Sequence, residues 1–479
     1  MLERLRTDPA VRARAVVLVV VAVAAAVRLV AIVAWAQHQE PAGDEAFYWR
    51  QAGYLAGGDG FVYRNNAGEL VRTAVHPPAY SAVLALVDLV PGLDGHVWHR
   101  LLTATIGTAA AAVIAVVAMR LASWRAGLVA GLLAAVQPNL WFNDVKLTAE
   151  SLFALAIGLV LVASYDLVAR PTTRRAVVLA AAIGFATLVR AEALFLFVLL
   201  LVPLVLRAAD TSWRDRLVRV GWAALAMGAV CAPWVLRNLV AFERPATLSS
   251  GSGFVIEISN CDPTYGLSAP VGPGGAVDPA APTDEYLGYW TVDCDRSSVS
   301  VYGEEARPWP VGDETVAEAE KRSIGLAYVR AHLDRLPIVL AARVGRIWDV
   351  WRPQQGIDFN VFFERRDATT EVLGRVVRWQ AVATWLHLAS LPVALAGGIV
   401  LWRRRITVLP FVALALSATL TAAVSFGITR YRVGADVGLI VLVGVATAAA
   451  WEALVRRRST HAEPTEVSGV VPASGEAGA

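Results

Sequence analysis

Apolar runs close to twenty residues long recur along the whole chain, separated by short Arg-rich links. A hydrocarbon layer about 30 Å thick needs roughly 20 helical residues to cross it. Inside lipid only helices and closed barrels satisfy their own backbone polar groups. Ten runs read as membrane spans: 15–36, 100–119, 124–140, 148–168, 174–190, 191–207, 219–240, 379–401, 406–425 and 434–455. The expected fold class is an all-α polytopic membrane protein of about ten helices. Composition agrees: 56% of residues are hydrophobic and 17% charged, against about a quarter charged in soluble domains. This excludes a disordered chain and an ordinary soluble enzyme. A net charge of +3 is too small for a nucleic-acid footprint. The first run is too long for a cleaved signal peptide, and functional-looking residues follow it.

Arginine placement sets the orientation. Arg4, Arg6, Arg12 and Arg14 precede the first run, and Arg120 and Arg125 separate the second from the third. Arg170, Arg174 and Arg175 follow the fourth; Arg207, Arg214, Arg216 and Arg219 follow the sixth. Arg403 to Arg405 follow the eighth and Arg456 to Arg458 the tenth. With ten spans all of these lie on one side, and the positive-inside rule makes that side cytoplasmic. The expected organisation is a cytoplasmic N-terminus and first span (1–36), a first extracytoplasmic loop (37–99), a bundle (100–240), a mixed extracytoplasmic segment (241–378), C-terminal spans (379–458) and a disordered cytoplasmic tail (459–479). The machinery then faces outward from a cell membrane. No Walker motif is present, which argues against ATP-driven chemistry.

Within 241–378, residues 245–313 are rich in Gly, Pro, Asp and Ser and read as a loop or small mixed subdomain. Residues 313–350 read as helical. After Pro337 the stretch Ile338 to Trp351, carrying Arg343 and Arg346, reads as an amphipathic helix on the membrane surface. Cys261 and Cys294 share the polar part, and an oxidising exterior would allow them to pair. Cys231 lies in an apolar run and reads as a small packed hydrophobe.

Three constellations carry potential chemistry. Gly43-Asp44-Glu45-Ala46-Phe47-Tyr48-Trp49 follows the first span. Carboxylates beside a bilayer are costly unless exposed or used; the competing reading makes Asp44 an N-cap with Glu45 in the first turn. Adjacent helical residues point about 100° apart, so the two carboxylates cannot serve one atom equally. His76-Pro77-Pro78-Ala79-Tyr80 places an imidazole before a helix start, a position that suits a phosphate oxygen or merely a capping contact. Arg430-Tyr431-Arg432 stands at the outer end of the ninth span, where Arg is scarce. Guanidinium groups bind phosphate bidentately; the alternative is an interfacial anchor. Secondary candidates are Asn143, Asp144, Lys146 and Glu150 before the fourth span, the Arg190/Glu192 turn, and Trp234 with Arg237-Asn238 at the end of the seventh.

The order Gly-Asp-Glu-Ala-x-Tyr-Trp, Leu-Ala-x-Gly-x-Gly-Phe, His-Pro-Pro-x-Tyr in one loop resembles bacterial members of the protein O-mannosyltransferase and aminoarabinose-transferase superfamily. The resemblance continues through Leu147 to Phe153, Ala186 to Leu194, Ala232 to Asn238 and Arg430 to Arg432, and so covers most of 15–455. It implies a GT-C fold and transfer of a sugar from a polyprenyl-phosphate donor to an envelope glycan, lipid or protein acceptor. It implies Asp44 as the catalytic carboxylate with Glu45 beside it, and His76, Arg430 and Arg432 at the donor phosphate. Tyr48, Tyr80, Lys146, Glu150, Arg237 and Tyr431 are expected to line the substrate site. No cofactor is required, though a divalent cation would be compatible. One departure is Val433-Gly434-Ala435-Asp436, where the family usually has a proline. The competing function is a lipid-linked sugar or small-molecule transporter. Its signature is ionisable groups or broken helices at mid-membrane, and Arg28 is the notable charge inside a run.

Overall fold

A computed structural model describes residues 8–65, 68–207, 212–268, 283–291, 294–295, 312–357 and 373–460. Arg4, Arg6 and the tail from 461 onward lie outside the described residues. The bundle begins with α1 (Pro9–Ala34), whose N-cap Asp8 accepts from Ala10 N at 2.8 Å. After the first loop come α4 (His96–Leu121), α5 (Trp124–Val136), α6 (Pro138–Asp144), α7 (Glu150–Ala169) and α8 (Thr173–Val189). A short 3-10 turn and a π-helical turn then lead into α9 (Val202–Leu206). The remaining long helices are α10 (Trp213–Ala241), α14 (Leu373–Arg403), α15 (Leu409–Val424) and α16 (Val433–Thr460).

Among the described residues six helices are long and apolar enough to cross a membrane: Pro9–His38, His96–Leu121, Glu150–Ala169, Trp213–Ala241, Arg378–Arg403 and Thr429–Arg457. Trp124–Val136, Ala191–Leu206 and Leu409–Val424 are apolar but shorter. The expected run 124–140 ends early because Gln137 is extended and Pro138 starts the new helix α6.

Of an apolar 18-residue stretch in each, 72% is buried in Thr429–Arg457 and 28% in Pro9–His38, so α16 is a central helix and α1 a peripheral one. Small residues set that packing. A Cβ on Gly397 of α14 would run into the Leu442 carbonyl of α16, and one on Gly444 would meet the Ala126 carbonyl of α5 at 2.5 Å. The outward faces carry Leu18, Leu29 and Val33 on α1, Trp222 and Leu236 on α10, and Trp385, Leu395 and Trp402 on α14. Apolar exposure on this scale is stable against lipid, not water.

The first loop folds as α2 (Asp44–Ala56), an antiparallel hairpin of β1 (Val62–Arg64) and β2 (Leu70–Arg72), and α3 (Ala79–Asp88). Helices α2 and α3 pack through Tyr48 edge-on to Tyr80, centroids 5.0 Å apart, and a 2.6 Å bond from Ser81 Oγ to Gln51 Oε1.

The long loop contributes α11 (Ser252–Ile258), α12 (Glu314–Ala331) and α13 (Leu336–Ile347). Cys261 and Cys294 form a disulfide with Cα atoms 5.8 Å apart, and Cys231 is a buried free thiol. The surface-helix expectation for 338–351 needs correction. Within α13, Arg343 and Arg346 are buried, donating respectively to Ala423 O at 3.2 Å and to Leu287 O at 2.6 Å. Protein carbonyls, rather than lipid headgroups, take the two charges.

Glu314 ties the two loops together: one oxygen accepts from Ala74 N and from Ser250 Oγ, each at 2.7 Å. One turn on, Glu318 is buried and accepts from Phe254 N at 2.9 Å, and burial pushes its carboxyl up to about 7. A raised folded pKa means that the folded state holds the extra proton between about pH 4.5 and 7. Stability therefore falls as pH rises through that window. Melting of solubilised protein at pH 5.5 and 8 is expected to show this drop, and Glu318→Gln to shrink it; an equal drop in the variant would assign it to other groups.

Candidate active site

Asp44 is the first residue of α2, not its cap. The cap is Gly43 at φ 54°, ψ −127°, a left-handed backbone that a side chain disfavours. That turn aims the Asp44 carboxylate at the break between α15 and α16, where Thr429–Arg432 forms a 3-10 turn. Arg430 Nη1 donates to Asp44 Oδ2 at 2.7 Å. His76 Nε2 stands 3.6 Å from Asp44 Oδ1, and its ring packs on Tyr48 (4.9 Å) and edge-on to Phe47 (5.0 Å). Burial by itself would raise the Asp44 pKa. The Arg430 guanidinium and the His76 ring outweigh it and hold the carboxyl well below the usual carboxylate range. The cluster is open to solvent: side-chain exposure is 40% at Asp44, 30% at Arg430 and 26% at His76.

Beneath it lies a second, buried anion. Glu150, at the start of α7, is 1% exposed, and its Oε1 accepts from both Arg430 and Arg190. Its other oxygen has no partner among the described residues. Arg190 also pairs with Glu192 and lies over the Tyr431 ring, 5.0 Å from its centroid. The Arg430 head is thus held from below by Glu150 and from the side by Asp44, with one guanidinium edge on each carboxylate. Fixed guanidinium groups of this kind favour an incoming phosphate.

Glu45 points elsewhere, as the helical offset requires. It lies 3.2 Å from Arg100 and 3.7 Å from Lys146, and its Oε2 accepts from Leu147 N at 3.3 Å. It anchors the first loop to the turn before α7. Tyr48 and Tyr80 line the wall on the His76 side; Tyr80 is buried with its hydroxyl 2.9 Å from Thr103 Oγ1. Burial raises the pKa of both tyrosines.

Two expected ligands are spent on structure. Arg432 is 1% exposed and bound to Asp436 (2.9 Å), Asp349 (2.8 Å) and the Ile347 carbonyl. It turns into the protein because the 3-10 turn points successive residues to different sides, and the departure residue Asp436 is its partner. Arg237 donates to Thr73 O at 3.0 Å and Phe61 O at 2.8 Å, clamping the hairpin of the first loop rather than joining Asp44.

The sequence offered Arg190 only as a secondary candidate paired with Glu192, and did not single out Arg100; the structure sets Arg190 also on Glu150 and Arg100 on Glu45. The signal was available, since both stand at span ends on the side where Arg is scarce. Arg28, the charge inside the first run, is also explained: it donates to Asp144 Oδ2 from Nε at 2.8 Å and to the Ala24 and Ala135 carbonyls. Among the described residues no group of three or more His, Cys, Asp or Glu is placed to hold a metal ion.

No protein-family profile matches the chain and no curated protein matches it. Among solved structures it is similar to the Archaeoglobus fulgidus oligosaccharyltransferase in the apo form, at 13% identity and TM-score 0.48, covering 93% of this chain and 52% of that one. It is similar to AglB of the same organism in complex with an inhibitory peptide and a dolichol-phosphate, at 13% identity and TM-score 0.45, covering 94% and 52%. It is also similar to ArnT from Cupriavidus metallidurans bound to undecaprenyl phosphate, at 18% identity and TM-score 0.40, covering 93% and 81%. The chain spans about half the length of the archaeal proteins.

Proposed function

We propose that this chain is an integral-membrane glycosyltransferase that moves a sugar from a polyprenyl-phosphate donor to an envelope acceptor on the outer face. The observation that carries the reading is the shared position of Asp44, His76 and Arg430, drawn from residues 44 to 430 into one solvent-open cluster at the end of an apolar bundle. In this reading the first loop and the described residues of 241–378 face outward, which the Cys261–Cys294 disulfide supports.

The donor's lipid tail lies against the apolar helices and its phosphate meets Arg430 and His76. In the free protein Arg430 is paired with Asp44, which makes that carboxylate a weak base. An arriving phosphate competes for Arg430 and releases Asp44 while the phosphate takes its place. Asp44 then accepts the proton of the acceptor hydroxyl as its oxygen attacks the anomeric carbon. The bond from that carbon to the phosphate oxygen breaks, and its electron pair leaves with the phosphate, stabilised by Arg430 and His76. A single displacement inverts the anomeric carbon. Glu150 and Arg190 keep Arg430 in position.

The test is incubation of purified protein with radiolabelled polyprenyl-phosphate sugars and crude envelope acceptors. Transfer is expected for at least one donor, with label recovered as the inverted anomer. His76→Ala is expected to raise the donor KM about tenfold, the loss of one charge-assisted hydrogen bond. Absence of transfer across the panel together with vectorial movement of a lipid-linked sugar in vesicles would favour the transporter.

A further inference from the structure

Away from Asp44, the long loop holds a polar cleft of about 490 Å³ between residues 244–252 and helix α12. Its walls carry Arg244, Thr247, Ser249 and Ser252 on one side and Glu318 and Arg322 on the other. The lining has no aromatic ring and few apolar groups. Arg244 and Arg322 are exposed, and the Arg244 guanidinium forms no salt bridge or hydrogen bond within the described residues. Arg322 Nη2 donates to Ser252 Oγ at 2.7 Å, so one cation is already oriented along the wall.

The cleft is built against the active-site loop. Ser249 Oγ donates to the Val75 carbonyl, and Ser250 N donates to Ala74 O at 2.8 Å. A Cβ on Gly251 would meet Val75 O at 3.3 Å. The next residue after Val75 is His76, one Cα–Cα step of about 3.8 Å away, and His76 stands beside Asp44. The wall of the cleft is therefore bonded to the two backbone residues that precede the donor-facing imidazole.

The two guanidinium groups outnumber the one wall carboxylate, Glu318, which already accepts from Phe254 N; with three hydroxyls facing a volume the size of a disaccharide, they select an anion that is also rich in hydroxyls. We propose that this cleft is the acceptor subsite and that it takes an anionic saccharide, bearing a carboxylate or a phosphate ester, through Arg244 and Arg322. This rests on the glycosyl-transfer reading above and narrows its acceptor class. The saccharide's charge is recognised in the cleft, and a hydroxyl further along reaches Asp44.

The experiment measures binding to the full-length protein in lipid nanodiscs by titration calorimetry, with three probes: digalacturonic acid, maltose 6-phosphate and maltose. At least one anionic probe is expected to bind about tenfold tighter than maltose, and the R244Q/R322Q double variant to lose that preference. The two anionic arms separate carboxylate from phosphate recognition. Equal affinity for all three probes, or an unchanged preference in the double variant, overturns the proposal. Undecaprenyl phosphate is titrated in parallel. Its failure to bind the wild type sinks the transferase reading separately, and its retained binding by the double variant shows that the variant is folded.

Discussion

Asp44→Asn is expected to lower the rate of sugar transfer about 10³-fold, within the range that a positioned general base contributes. The amide is nearly the same size but cannot take the acceptor proton. The side chain is 40% exposed, so little packing is lost and the melting temperature should stay close to wild type. Donor binding should be unchanged or tighter, because Arg430 is released from one of its two carboxylates. That combination separates a chemical role from a binding one. Transfer within tenfold of wild type would remove Asp44 from the mechanism, and donor binding lost in step with transfer would reassign it to the phosphate pocket.

Arg28→Leu is expected to destabilise the bundle by roughly 3–5 kcal/mol, the cost of leaving a buried charge without its partner. Arg28 and Asp144 are 1% and 4% exposed. Their pair joins α1 to the turn that leads into α7, and the Arg28 head also satisfies carbonyls of α1 and α5. Asp144 fits only because Gly107 of α4 has no side chain; a Cβ there would overlap its carboxylate. The stranded Asp144 recovers part of the loss by taking a proton, so the deficit should be smaller at acid pH. Adding Asp144→Asn to Arg28→Leu should restore most of the stability. Unfolding of the detergent-solubilised protein by denaturant checks both variants. A loss below about 1 kcal/mol in the single variant would mean that water or a neighbour already compensates the charge. The same pair bears on the rival function, since the one charge inside the first run is fully engaged within the protein.

Much of the architecture was legible because it follows from short-range rules. Each apolar run is helical since lipid leaves the backbone no other partner, and Pro138, with Gln137 held extended before it, ends α5 and starts α6. The divergence of Asp44 and Glu45 follows from the helical step alone. The errors have one source in common. Arg432 and Arg343 look like surface cations in the sequence, yet both are buried, Arg432 on carboxylates and Arg343 on carbonyls that come from distant segments.

Sequence alone determined that this chain is a helical membrane bundle with a charged first loop, and it singled out the residue types able to handle a phosphate, because hydropathy, helical period and side-chain chemistry are local properties. Only the tertiary structure decided which of Arg237, Arg430 and Arg432 meets Asp44, that Glu150 and Arg190 brace it, and that Glu45, Arg237 and Arg432 hold loops together instead. The reason is physical: charge pairing acts across 3 Å of space between residues separated by up to 386 positions, and no local pattern encodes that distance.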